Sequence, residues 1–193
     1  DDFIDELYEA VLPSIEAIGG NSEILGIGVG APNGNYYNGT VEYAPNLPWK
    51  GIIPLAKLIS EKFGLETSLT NDANAAAVGE MMYGAARGMR DFIMITLGTG
   101  VGSGIVANGQ LIYGNDGFAG ELGHNIIIPG GRLHPGTGAH GSLEAYASAT
   151  GIRRTALELL DKHPGSYSLM REWQPEELES SHVYECAMKG YEI

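Results

Sequence analysis

A glycine-rich stretch near the middle of the chain has the composition of a phosphate-binding turn. Residues 97–105 read Leu-Gly-Thr-Gly-Val-Gly-Ser-Gly-Ile and follow the β-branched run 92–96, which predicts a buried strand. Glycines let a ligand approach backbone N–H groups, and an array of such groups favours an anion. The hydroxyl of Thr99 would add a donor. A glycine-rich β-turn that binds nothing remains the alternative for this stretch alone, because such patterns often match by chance.

Polar side chains at the ends of predicted elements are the second source of chemistry. Asn71 and Asp72 lie where the predicted strand 66–70 meets the predicted helix 73–83. Either residue would cap that helix. The carboxylate of Asp72 is also placed to accept a proton from a substrate hydroxyl, and the two roles do not exclude each other.

Three more polar residues follow the glycine-rich stretch. Glu121 and His124 are spaced so that one short turn presents both to a ligand, and Glu144 lies near the start of a predicted long helix, 142–162. Each has a structural alternative. Glu121 would be a surface carboxylate, His124 a satisfied histidine, and Glu144 a carboxylate that complements the helix dipole.

The composition indicates a globular chain without a surface for nucleic acid or anionic membranes. The 193 residues are 44% hydrophobic and 18% charged, enough for one large domain or two small ones. The net charge of −13 argues against both surfaces, although it allows a phosphate at a local site. Cys186 is the single cysteine, so a disulfide framework is excluded and a reducing, cytoplasmic compartment is expected.

The alternation of predicted strands and helices indicates the α/β fold class. The predicted strands cover residues 24–29, 41–43, 66–70 and 92–96, and the predicted helices cover residues 1–18, 54–63, 73–83, 142–162 and 176–188. Asn108 and Gly109 predict a two-residue hairpin turn. The loop 30–35 follows the first strand, at the carboxyl edge where open α/β sheets bind ligands.

Six motifs in one order resemble the ROK family of repressors, open reading frames and kinases. They are Gly-Val-Gly-Ala-Pro at 28–32, Pro-Asn-Leu-Pro-Trp at 45–49, Asn-Asp-Ala-Asn-Ala-Ala-Ala at 71–77, Leu-Gly-Thr-Gly-Val-Gly-Ser-Gly at 97–104, Gly-Glu-Leu-Gly-His at 120–124 and Leu-Glu-Ala-Tyr-Ala-Ser at 143–148. The resemblance implies an actin-like, ribonuclease-H-like sugar kinase fold with two lobes around a cleft. Residues 1–70 would belong to the N-terminal lobe, and residues 71–193 to the first part of the C-terminal lobe.

The resemblance also implies roles for the candidate residues. Asp72 matches the catalytic base that takes the proton of the sugar hydroxyl attacking the γ-phosphate of ATP, a reaction that uses Mg²⁺. Gly98, Thr99 and Gly100 match the second phosphate-binding turn. The residues matching those that hold sugar hydroxyls are Asn46, Asn71, Asp72, Glu121, His124 and Glu144, with Asn33 in the preceding loop as a further candidate. Carboxylates and amides suit a polyol, whose hydroxyls both donate and accept hydrogen bonds.

The implied function is ATP-dependent phosphorylation of a glucose-like hexose in cytoplasmic carbohydrate metabolism, such as glycolysis, by a protein that is a homodimer at full length. The alternative is a ROK sugar-sensing transcriptional repressor, which binds sugar without phosphorylating it and reads DNA through a module outside this chain. A binding protein with a decayed site is a third interpretation, and the presence of Asp72, Glu121 and His124 argues against it.

The chain departs from the family pattern at its ends. It starts after the place of the Asp-x-Gly-Gly-Thr phosphate loop, and it lacks the segment that would cover adenosine. It resembles an internal fragment for these reasons. We expect the chain to be inactive as a kinase on its own, and to expose sheet edges that favour self-association.

A second departure concerns metal. Family members usually carry a Cys-x-Cys-Gly-x-x-Gly-Cys-x-Glu zinc loop after the Gly-His pair, and the cysteine places are held here by Pro135, Thr137 and Ser142. No structural zinc is therefore expected, because these residues supply no thiolate. The histidines of this region are interpreted as solvated loop residues, with one alternative, a metal site built from His124, His134, His140 and Glu121.

Overall fold

The computed structural model describes residues 2–44 and 47–190. The chain forms two compact units, each made of two segments: residues 1–94 with 104–120, and residues 95–103 with 121–193. The boundary between lobes predicted after residue 70 refers to the complete fold and stays a prediction. No helix among the described residues is long and apolar enough to span a membrane.

The elements confirm a mixed α/β chain. The strands of the described residues are β1 (Ile27–Ala31), β2 (Gly34–Asn35), β3 (Thr40–Glu42), β4 (Ile52–Ile53), β5 (Thr67–Asn71), β6 (Phe92–Leu97), β7 (Val101–Ala107) and β8 (Gln110–Leu111). The α-helices are α1 (Asp2–Ala17), α2 (Leu55–Phe63), α3 (Asp72–Tyr83), α4 (Glu144–Ala147), α5 (Ala149–Lys162) and α6 (Ser180–Met188).

A parallel pair of strands organises the first unit. Strand β1 pairs with β5 from Ile27 opposite Thr67 to Ala31 opposite Asn71. Because parallel strands end at the same edge, the loop after β1 and the start of α3 lie together. Helices α1 and α2 cover this pair with an apolar core, which includes the buried residues Ile4, Ile15, Ile59, Phe63 and Leu69.

The predicted hairpin is confirmed, but most of the glycine-rich stretch is strand. Asn108 and Gly109 have φ values of 55° and 76°, as a type I′ turn requires, and join β7 to β8. Strand β7 begins at Val101, so the turn contains only residues 98–100. Gly104 belongs to β7, where a Cβ would lie 2.6 Å from the Cβ of Ala77 on α3. This glycine therefore serves helix packing.

The predicted long helix over 142–162 is wrong, because the chain is divided at Ser148. This residue is extended, with ψ at 164°, and it separates α4 from α5. Its buried hydroxyl accepts the N–H of Gly151 at 3.1 Å, which caps α5. The N–H of Ala149 donates to the carbonyl of Gly98 at 2.9 Å instead of continuing the helix.

The final segment begins its helix later than predicted. Helix α6 starts at Ser180 rather than near residue 176, after a 3₁₀ turn at Leu169–Glu172. A second apolar core forms between α5, this turn and α6, and it contains the buried residues Ala156, Leu160, Met170, Leu178 and Cys186.

Candidate functional site

Asn71 and Asp72 have different roles at the start of α3. The side-chain oxygen of Asn71 accepts the N–H groups of Ala73 at 2.9 Å and Asn74 at 3.4 Å, so Asn71 is the N-cap. Asp72 is the first residue of the helix, and its carboxylate is exposed. One carboxylate oxygen accepts the N–H of Ala73 at 2.9 Å. Because Asn71 supplies the cap, Asp72 can offer its carboxylate to a substrate.

Asn33 lies in the loop after β1, at the same edge of the first unit. It has a positive φ of 52°, and its side-chain amide donates to the carbonyl of Glu42 at 2.9 Å. The next residue, Gly34, lies so close to the carbonyl of Thr70 that a Cβ would overlap it. Asn33 therefore has a structural role in holding the loop against the end of β3, while Gly34 lets the loop pass close to β5. Asn46 lies outside the described residues.

The turn between β6 and β7 belongs to the second unit. The N–H of Gly98 donates to the carbonyl of Gly100 at 3.0 Å, and the carbonyl of Gly98 accepts from Ala149. Thr99 is exposed at the tip. These bonds fix the shape of the turn and leave Thr99 exposed at its tip.

Both carboxylate oxygens of Glu144 have hydrogen-bonding partners. One oxygen accepts the N–H of Val101 at 2.7 Å, and the other lies 2.7 Å from Nε2 of His134. Gly100 lies against the same carboxylate, because a Cβ there would be 2.7 Å from its Oε2. The carboxylate is thus bound directly to the residue that follows the turn.

Glu121 and His124 lie at the two ends of a short turn, with Glu121 directly before the 3₁₀ turn Leu122–His124 and His124 facing the carboxylate of Glu144. Oε2 of Glu121 lies 3.9 Å from Nδ1 of His124, and both side chains are about half exposed. His124, His134 and Glu144 each offer one ligand atom, and these atoms lie within 4.8 Å of one another. The second unit therefore brings together Glu121, His124 and Glu144, which sequence analysis predicted as sugar ligands.

His134 is the residue that sequence analysis misjudged. The sequence predicts a solvated loop residue, but His134 is only 6% exposed and contacts Glu144. Its Nδ1 lies 3.2 Å from Oγ of Ser142, which is fully buried. The local sequence around His134 offers no signal of this burial, because it depends on Ser142 and Glu144.

The residues at the cysteine places do not fit a thiolate zinc site. Pro135 has no side-chain donor, and the hydroxyl of Thr137 accepts the N–H of Ala139 at 3.2 Å. Ser142 is hydrogen-bonded to His134, and Cys186 lies on α6 with its side chain buried in the second apolar core. Four good ligands make a closed structural zinc site, and thiolates are the usual donors. His140 is also engaged, because its Nδ1 donates to the carbonyl of Gly131 at 2.9 Å.

Arg132 anchors the 129–141 loop to the neighbouring helices. Its guanidinium donates hydrogen bonds to the carboxylate of Glu158 at 2.8 Å and to the carbonyls of Ala145 and Gly151 at 3.1 Å each. It also lies 4.6 Å from the centre of the Tyr146 ring. The hydrogen bond from Arg132 lowers the pKa of the Glu158 carboxyl below its ordinary value.

The family model of the ROK family matches residues 4–193, and the chain belongs to that family. It is 36% identical over 187 residues to a glucokinase of Thermotoga maritima, covering 96% of this chain and 59% of the glucokinase. It is also 34% identical over 172 residues to a xylose repressor of Caldicellulosiruptor bescii, covering 88% of this chain and 42% of the repressor.

A solved structure extends the same comparison. The ROK family glucokinase of Streptomyces griseus, in complex with glucose and AMPPNP, is 35% identical with a TM-score of 0.77. The match covers 97% of this chain and 59% of that chain. The fold is therefore part of the actin-like fold of ROK sugar kinases. The chain spans 59% of the length of both glucokinases and a smaller share of the repressor.

Proposed function

We propose that the protein carrying this chain transfers the γ-phosphoryl group of ATP, with Mg²⁺, to a hydroxyl of a glucose-like hexose. The observation that carries the proposal is the exposed carboxylate of Asp72 beside a cap supplied by Asn71. Similarity to the two glucokinases, one of them bound to glucose and an ATP analogue, supports it.

Asp72 is the general base in this proposal. It accepts the proton of the sugar hydroxyl while that oxygen forms a bond to the γ-phosphorus. The bond between the γ-phosphorus and the bridging oxygen breaks, and ADP leaves. The turn at Gly98, Thr99 and Gly100 supplies N–H and hydroxyl donors to a phosphate group. Such donors accelerate the step because they stabilise the negative charge that develops on the transferred group.

The polar residues of the second unit hold the sugar in this proposal. Carboxylate oxygens of Glu121 and Glu144 accept hydrogen bonds from sugar hydroxyls, and His124 donates or accepts according to its tautomer. Orientation matters because phosphoryl transfer depends mainly on positioning the nucleophile. Asn33, Asn46 and Asn71 remain predicted sugar contacts, and the cytoplasmic location and the homodimer also stay predictions.

A sugar-sensing repressor is the second candidate function. The observation that favours it is the similarity to the xylose repressor, at 34% identity against 36% for the glucokinase. In a repressor the same carboxylates and histidine would bind sugar, and Asp72 would activate no hydroxyl because no phosphoryl donor such as ATP would take part.

A panel of sugars distinguishes the two functions. The protein as its gene encodes it is given ATP, Mg²⁺ and, in separate reactions, glucose, mannose, fructose, N-acetylglucosamine or xylose, and ADP release is measured. We expect sugar-dependent ADP release with at least one hexose. Saturable sugar binding by calorimetry, with no ADP released for any sugar, would support the repressor.

A further inference from the structure

We propose that His134 is a positioning residue for Glu144, and that a hydrogen-bonded chain through Ser142, His134, Glu144 and Val101 replaces a metal cross-link in the 129–141 loop. The proposal deepens the proposed function, since its kinetic test rests on sugar phosphorylation. It concerns how the sugar-binding carboxylate is held.

The proton positions follow from the chemistry of the groups. An ionised carboxylate only accepts hydrogen bonds, so Nε2 of His134 carries the proton in its 2.7 Å contact with Glu144. Nδ1 then accepts the hydroxyl proton of Ser142 at 3.2 Å. The Ser142 oxygen in turn accepts the N–H of Ala145 at 3.3 Å. Ser142, His134 and Glu144 therefore each have a partner on both sides.

The loop backbone holds His134 in place. Its N–H donates to the carbonyl of Ala139 at 2.8 Å, and its carbonyl accepts the N–H of Gly138 at 2.8 Å. Gly141 closes the loop with a φ of 86°, where a Cβ would overlap the carbonyl of Ile128. With His134 6% exposed and Ser142 fully buried, the ring has little room to rotate. A ring fixed in this way fixes the carboxylate that it touches.

A metal ion bound by His124, His134 and Glu144 is the competing account. Two imidazoles and one carboxylate form a ligand set that zinc accepts. However, ligand atoms on one tetrahedral zinc, each about 2.0–2.1 Å away, are separated by roughly 3.3 Å. The 2.7 Å distance between Nε2 of His134 and Oε1 of Glu144 is shorter than this separation and matches the length of a charge-assisted hydrogen bond. Nδ1 of His134 is already hydrogen-bonded to the hydroxyl of Ser142, and Oε2 of Glu144 already accepts the N–H of Val101.

Paired substitutions of His134 test the proposal. The amide nitrogen of His134→Gln can replace Nε2, whereas the shorter side chain of His134→Asn reaches only the Nδ1 position. We expect His134→Asn and His134→Ala to raise the KM for hexose about 10-fold or more, with kcat little changed. His134→Gln should stay within about 3-fold of the parent KM. His163→Gln, at an exposed histidine after α5, is the control and should change neither constant.

Metal content separates the two accounts. Tag-free protein should hold far less than stoichiometric zinc after dialysis. Treatment with a chelator that is removed before Mg²⁺ and ATP are added should leave the hexose KM unchanged. Stoichiometric zinc that disappears in His134→Ala would overturn the proposal. An equal loss of thermal stability in all three His134 variants, with the hexose KM unchanged in the folded fraction, would show a merely structural role and would also overturn it.

Two measurements test the role of His134 even if the proposed kinase function is wrong. If the parent protein binds sugar without turnover, the sugar Kd from calorimetry replaces KM in the same comparison of Gln and Asn. Nitrogen-15 NMR of the His134 ring should report a proton on Nε2 whether or not the protein is a kinase. A ring protonated only on Nδ1 would contradict the hydrogen bond to Glu144.

Discussion

The carboxylates of Asp72 in the first unit and Glu144 in the second unit have opposite surroundings. Asp72 is exposed at the start of a helix that its neighbour Asn71 caps. Glu144 has one oxygen on a backbone N–H and the other on a buried histidine. A base must take up and release a proton, whereas an acceptor that orients a hydroxyl must stay fixed. The two environments suit these two tasks.

The largest expected effect comes from Asp72→Asn. The variant keeps the size and the helix start but cannot accept the proton, so kcat should fall about 10²–10⁴-fold with sugar affinity retained. Steady-state kinetics and sugar calorimetry measure the two quantities. Asp161→Asn, at an exposed carboxylate on α5, is the matched control. Turnover near that of the control would remove Asp72 from the role of base.

The next effect concerns the stability of the second unit. Arg132→Ala removes the bonds from the 129–141 loop to Glu158 and to two helix carbonyls, and should lower the free energy of unfolding by about 2–3 kcal/mol. Denaturant titration measures the free energy of unfolding of the variant and of the parent protein. An unchanged unfolding midpoint would show that the loop does not depend on this anchor. Arg87→Ala, at an exposed arginine of the first unit, is the control.

The Arg132 pair also predicts a pH dependence. Because Arg132 lowers the pKa of Glu158 in the folded state, the ionised carboxyl stabilises the fold above its ordinary pKa of 4.5. This contribution is lost as pH falls from 4.5 through the lowered value. Glu158→Gln should therefore reduce stability at neutral pH and flatten its decline below pH 4.5, as thermal unfolding at several pH values would record. A decline as steep as that of the parent would contradict the assignment.

A smaller effect is expected from Gly100→Ala. The added methyl would lie 2.7 Å from Oε2 of Glu144, so it should displace the carboxylate from the N–H of Val101. We expect the KM for hexose to rise about 10-fold, the loss associated with one charge-assisted hydrogen bond. Gly79→Ala, where a Cβ meets nothing within 4 Å, is the control. Equal KM values in the two variants would mean that Glu144 need not be fixed.

The smallest effect separates the two roles of Asn71. Asn71→Ser keeps an oxygen that can cap α3, whereas Asn71→Ala loses the cap and about 1 kcal/mol of stability. If the amide nitrogen also contacts sugar, both variants should raise the hexose KM by a similar factor. If only the serine variant retains the parent KM, Asn71 acts through the cap alone.

Local signals in the sequence predicted some features of this molecule well. Asn108 and Gly109 specify their turn through their own backbone preferences, and the strand-to-helix junction at Asn71 and Asp72 follows from neighbouring residues. The motifs that resemble the ROK family predicted a membership that the family model confirms. These features need few contacts between distant parts of the chain.

The features that sequence analysis missed depend on distant partners. The break at Ser148 is favoured by the bond between Ala149 and Gly98, about fifty residues away, which apolar periodicity does not record. The burial of His134 depends on Ser142 and Glu144 folding back across the loop. Gly104 resembled part of a ligand-binding turn because its packing against Ala77 is invisible in the local pattern.

The most direct test of the account is phosphorus-31 NMR of the protein, as its gene encodes it, with glucose, ATP and Mg²⁺. The account predicts a new phosphate monoester signal that grows in step with ADP and that is nearly absent for Asp72→Asn. A spectrum that stays unchanged while calorimetry shows saturable glucose binding would contradict it.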